Sequence, residues 1–216
     1  MTFCTDTDLL HWEPNLLREA SFASQTLLTG TGDLAGTTFT IDAGSLASSH
    51  VTPTQVIVLT GGTSGCYPIV SVDSATQLTI STLYDNLFPV GGSGVASPVG
   101  SAVDLAFAIR TFWPQRRVVS DLLLAAAGLD PTRADIDEVV FNPESLRKPA
   151  ALGTLHMIYS ALAAAAAEPA ALATRADMYE RIYRRALRNS VVQLDLNGDG
   201  EADVVRPLNV LQLQRV

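Results

Sequence analysis

Near the C-terminal end, Asp195-Leu196-Asn197-Gly198-Asp199-Gly200-Glu201-Ala202-Asp203 carries oxygen donors at the spacing of an EF-hand-type calcium loop. Asp195, Asn197, Asp199 and Asp203 stand at loop positions 1, 3, 5 and 9, and Gly200 takes position 6, where the chain must turn sharply. Such a loop needs a bidentate carboxylate at position 12, and that position is Arg206. A cation at the missing ligand favours the other reading, a polar hairpin tip in which Asn and Gly supply positive φ. No cofactor is expected, and no metal is favoured.

Other reactive side chains do not form a pattern. His11, His50 and His156 are far apart with no ligand-type neighbours, and His156 shares an apolar face with Leu152, Leu155 and Tyr159, as a hydrogen-bonded core histidine does. No GxSxG elbow is present, and the glycines at 91–94 are not followed by the Lys-Ser/Thr of a phosphate loop. Cys4 and Cys66 form no CxxC or Cys/His spacing, so a disulfide and two free thiols are both open, with free thiols favoured. Arg181, Arg184, Arg185 and Arg188 make a basic cluster. It reads as a solvated helix face partly neutralised by Asp177 and Glu180, or more sharply as a contact for an acidic partner or passing DNA. The expectation is a protein that is not an enzyme.

The elements that must carry these residues change character twice along the chain. Residues 5–24 read as helix, opened by the Thr5–Asp8 capping spacing and interrupted at Pro14. Residues 25–100 are rich in Thr, Ser, Gly and Val, with strand-like runs at 37–42, 55–59, 67–72 and 77–80, which predicts a small barrel or sandwich. Gly91–Gly94 reads as the exit linker.

Ser101 with Asp104 gives a second capping spacing and predicts a helix ending before Pro114. Val119, Leu122, Leu123 and Ala126 follow at helical spacing, stopped by Gly128. Asp130-Pro131 and Asn142-Pro143 are further helix starts, Leu152–Ala167 is an alanine-rich helix, and Thr174 with Asp177 opens the last helix. That helix is amphipathic, with Asp177–Arg181 and Glu180–Arg184 as i,i+4 pairs on its outer face. Residues 191–205 predict a hairpin, and the tail from Leu208 alternates apolar and polar residues.

The expected fold class is α+β: mainly a helical bundle (1–24 with 101–190), a small β-barrel or sandwich inserted at 25–100, and a C-terminal hairpin and tail at 191–216. Hydrophobic residues make up 47% of the 216, enough to bury a core. No apolar run approaches the ~18 residues of a membrane helix, and the first residues lack a basic stretch followed by an apolar one, so neither a span nor a secretory signal is expected. The net charge of −8 is uneven, since no Lys or Arg occurs between Glu19 and Ile109. A protein that grips duplex DNA needs cations, so sequence-reading nucleic-acid binding is disfavoured.

Several of these pieces together resemble the head–tail connector, or adaptor, proteins of tailed bacteriophages. They are Asp6-Thr7-Asp8-Leu9-Leu10, Glu13-Pro14-Asn15-Leu16, Arg110-Thr111-Phe112-Trp113, the Leu155–Tyr159 helix, Tyr179–Tyr183 running into Leu194–Gly200, and Leu213-Gln214-Arg215. The resemblance implies a virion protein made in the host cytoplasm and placed in the neck as a dodecameric ring beneath the portal. Its partners would be the portal, neighbouring copies of itself, the downstream neck or tail protein, and the capsid through the β-module; DNA would only pass through the channel. It also implies a portal-docking tail, with Leu208, Val210, Leu211, Leu213 and Arg215 at the contact. The alternative is a binding module in which the β-domain recognises capsid protein, or a glycan in calcium-dependent adhesion. The module's Tyr67 and Tyr84, without a Trp, are a thin platform for a sugar.

Overall fold

Period-two alternation, not helical spacing, governs the segment after residue 100. In Ala102–Arg110, Leu105, Phe107 and Ile109 are buried while Asp104 and Ala106 are exposed, a strand facing a core on one side. The computed structural model describes residues 1–83 and 95–208. The chain divides into two units, Asp6–Phe112 and Met1–Thr5 with Trp113–Val216.

The first unit opens with α1 (Asp6–Trp12) and the single turn α2 (Leu16–Glu19), separated at Pro14, then a 3-10 turn at Ala23–Gln25. Six strands follow: β1 (Thr26–Gly36), β2 (Thr38–Ile41), β3 (Val56–Thr60), β4 (Gly65–Val72), β5 (Gln77–Ile80) and β6 (Gly100–Arg110). They close into a barrel in the order β1-β2-β5-β4-β3-β6, with every neighbouring pair antiparallel. Leu34, Phe39, Ile57, Leu59, Ile69, Leu78, Ile80, Leu105, Phe107 and Ile109 fill its core. Phe39 meets Phe107 edge-on with ring centroids 5.3 Å apart. Gly32 is obligatory, because a Cβ there would collide with the Thr40 carbonyl oxygen and the Phe39 ring.

This arrangement corrects the expected fold class. The chain is α+β, but its main β-element is a closed six-stranded barrel forming a unit of its own, rather than a helical bundle carrying a small insert. The helix expected from Ser101 is β6, and β1 was not among the strand-like runs. These two strands, of 11 residues each, are the longest in the barrel and pair with each other to close it. The Ser101–Asp104 spacing misleads because Asp104 caps nothing. It sits at φ 52° opposite a register shift between Gly32 and Leu34, with its N–H donating to Asp33 Oδ1 at 3.0 Å, so it belongs to a bulge. The proposed exit linker at Gly91–Gly94 lies outside the described residues.

The barrel's two chain ends are tied within the unit. The buried Asp6 carboxylate accepts the Thr111 hydroxyl at 2.7 Å and the Phe112 N–H at 2.9 Å. Each bond replaces hydration that a buried carboxylate would otherwise lose.

The second unit contains α3 (Trp113–Ala126), the short α4 (Ile136–Val139), α5 (Glu144–Ala165), α6 (Ala170–Asn189) and a hairpin of β7 (Val191–Leu194) with β8 (Val204–Pro207). Pro114 lies in the first turn of α3, where it has no N–H to lose, and does not end a preceding helix. Tyr159 of α5 stacks on Tyr179 of α6, ring centroids 5.6 Å apart and planes 6° from parallel, with the Arg175 guanidinium 5.5 Å from the Tyr159 centroid. Gly153 lets α5 approach its neighbours: a Cβ there would lie 2.8 Å from Val119 Cγ1 and 3.0 Å from Tyr183 Cε2. The N-terminal residues pack into the same unit, with Phe3 N–H on Ser120 Oγ and Arg116 Nη1 on the Cys4 carbonyl.

Candidate functional site

The acidic loop between β7 and β8 is satisfied from within. Asp195 accepts the Gly198 N–H at 2.7 Å on Oδ1 and the Gly200 N–H at 2.8 Å on Oδ2. Asp203 accepts the N–H groups of Leu196 and Asn197 and the Asn197 amide, and Asp199 accepts the Glu201 N–H. The Gly200 N–H first, and then the Gly198 N–H, hold the Asp195 carboxyl below the usual carboxylate range. Gly198 and Gly200 both take positive φ, at 77° and 82°. Arg206 turns away from the loop, donating from Nη1 to the Ala127 carbonyl at 2.7 Å. Gly128 makes room for it, since a Cβ there would lie 2.7 Å from that nitrogen. The loop is organised as a hairpin tip, and no group of three or more His, Cys, Asp or Glu able to hold a metal occurs among the described residues.

His156 Nδ1 lies 3.0 Å from the Ala176 carbonyl, while His11 and His50 are exposed. Both cysteines are free thiols, Cys4 buried and Cys66 half-buried. Burial raises the Cys66 pKa, opposed by N–H groups of Arg18 and Leu17 and by the charges of Arg110 and Arg18.

Arg181, Arg184, Arg185 and Arg188 are exposed along one face of α6 and, with Met178 and Ile182, line a concavity. The Glu180–Arg184 pair forms at 2.6 Å. Arg181 Nε instead donates to the backbone carbonyl of Asp177, so this helix position gains no ion pair from that bond.

The tail begins inside its own unit. Leu208 is buried and its N–H donates to the Ser190 carbonyl at 3.1 Å, extending the hairpin. Val210, Leu211, Leu213 and Arg215 lie outside the described residues.

A surface that the helical spacing did not single out lies on α3. Val119, Ser120, Leu123 and Leu124 are buried, whereas Val118 and Leu122, one turn apart, are 47% and 55% exposed. The spacing grouped Leu122 with Val119 and Leu123, although Leu122 lies about 100° from Leu123 around the helix axis. Trp113 at the start of the same helix is 53% exposed. The signal that could have found this surface is the i,i+4 pair of Val118 and Leu122, which lies about 100° around the helix from Val119 and Leu123. No family model, curated protein or solved structure matches the chain.

Proposed function

We propose that this chain is a structural subunit of the neck of a tailed bacteriophage, assembling with copies of itself into a ring that joins the portal to the next neck or tail protein. DNA passes through the ring, and no catalytic step is assigned to the chain. The observation that carries this reading is the second apolar face of α3. A helix that buries Val119 and Leu123 in its own unit and also presents Val118 and Leu122 to solvent has a surface suited to another subunit. The acidic barrel, with no base between Glu19 and Ile109, suits a particle through which DNA slides without being held. The connector-like residues from Asp6 to Leu10 and from Tyr179 to Gly200 point the same way. No helix among the described residues is long and apolar enough to cross a membrane.

The test is mass and shape in solution, by light scattering and negative-stain imaging, for the protein alone and mixed with portal. Rings, or a portal that gains a collar, are expected. Val118→Glu with Leu122→Glu should abolish them while leaving the fold intact, because both side chains already face water. A wild-type monomer indifferent to portal would replace this reading with the binding-module alternative.

A further inference from the structure

The barrel unit, residues 6–112, holds nine acids and two bases, Arg18 and Arg110. Both bases line one concavity of about 270 Å³ on the outer wall of the barrel, together with Ser21, Val58, Thr60 and Ala108. Val58 and Ala108 are direct partners across β3 and β6, so the floor is a flat piece of strand wall with small side chains. Arg110 stands at the end of β6. Its Nη1 donates to the Leu17 carbonyl at 2.6 Å, which fixes the guanidinium, while its Nε is buried with no acceptor. Arg18 follows Leu17 on α2 and is exposed.

Among the described residues, neither guanidinium makes an ion pair, although the unit carries a net charge of −7 (nine acids against two bases). Two like charges brought to one hollow repel each other, and in so acidic a unit carboxylates to neutralise them are plentiful elsewhere. The arrangement has the composition of an anion receptor: the exposed fork of Arg18, a second fixed positive charge on Arg110, two hydroxyls and a small apolar floor.

We propose that this concavity receives a carboxylate side chain carried by an extended segment of a partner protein. A carboxylate matches the guanidinium fork, its methylenes can lie on Val58 and Ala108, and the volume admits such a side chain with a small neighbour. A nucleic-acid backbone is disfavoured because the rest of the unit repels a polyanion, whereas a single carboxylate meets mainly the two local cations. This inference does not depend on the neck reading.

The test follows the alanine methyl resonances of Ala106 and Ala108 in the full-length protein, which stay observable if the chain assembles. The probes are acetyl-Ala-Glu-Ala-amide, its Gln counterpart and inorganic phosphate. The Glu peptide should shift both methyls saturably and the Gln peptide should not. Arg18→Gln should weaken binding roughly tenfold or more, the scale of a lost charge-assisted hydrogen bond. Arg18→Lys, which keeps the charge and loses the fork, should fall between. Arg110 is left in place because it anchors α2. Absence of saturation with the Glu peptide, or equal binding by Arg18→Gln, would overturn the proposal. Phosphate saturating the same methyls at lower concentration would overturn the carboxylate assignment.

Discussion

Burial of Cys66 favours its neutral thiol, and the consequence is a pH dependence with a definite sign. Because its folded pKa lies above the ordinary 9.0, the native barrel holds that proton more tightly than the unfolded chain does. Stability should therefore decline as pH rises above about 9, and urea unfolding of Cys66→Ser should show a flatter profile there. Alkylation of Cys66 at neutral pH should also be slower than that of a free thiol. Asp195 behaves in the opposite sense. Its folded pKa lies below the ordinary 3.8, so its contribution is complete above that value and is lost as pH falls through the lowered one. Amide exchange at Gly198 and Gly200 should accelerate over that range, and Asp195→Asn should remove the dependence. At this scale the hairpin was legible in the sequence, since Asn197-Gly198-Asp199-Gly200 supplies a turn between two β-rich runs. The sequence could not show where Arg206 goes, because Ala127 is 79 residues away.

At the scale of elements, two glycines measure how tightly each unit is packed. Gly153→Ala adds a methyl between α5, Val119 and Tyr183, and should destabilise the protein by about 1–3 kcal/mol, the usual range for overpacking. Gly32→Ala should cost more, since the obstacle is the Thr40 carbonyl of β2, which cannot swing aside as a side chain can. Denaturant unfolding of both variants would check the order, and a Gly32→Ala protein as stable as wild type would contradict the close strand approach. Strands β2 to β5 and the hairpin were legible because short runs of β-branched and aromatic residues stand between turn residues such as Gly61-Gly62 and Asp73-Ser74. Strand β6 was not, because Ser101 and Asp104 imitate a helix start and the alternation becomes clear only from Leu105 onward. Strand β1, Thr26–Gly36, has Gly30, Gly32 and Gly36 where strand residues are usually bulky, so local propensity gave little sign of it. Closure with β6 and β2 makes it a strand, and that is a long-range condition no local window contains.

For the whole molecule, the division at Thr5/Asp6 and Phe112/Trp113 predicts that residues 6–112 expressed alone give a dispersed amide spectrum and a cooperative melt. A molten, poorly dispersed product would show that the barrel needs the rest of the chain. The bond between Asp6 and the Phe112 N–H bears on this directly, because a unit whose first and last residues touch closes its own circuit. For inheritance, such a stretch is a cassette. Such a segment is suited to exchange for another compact domain whose ends are likewise held together. A chimera carrying a foreign barrel between Thr5 and Trp113 should therefore fold, with the rest of the chain keeping the packing it has around α3, α5 and α6.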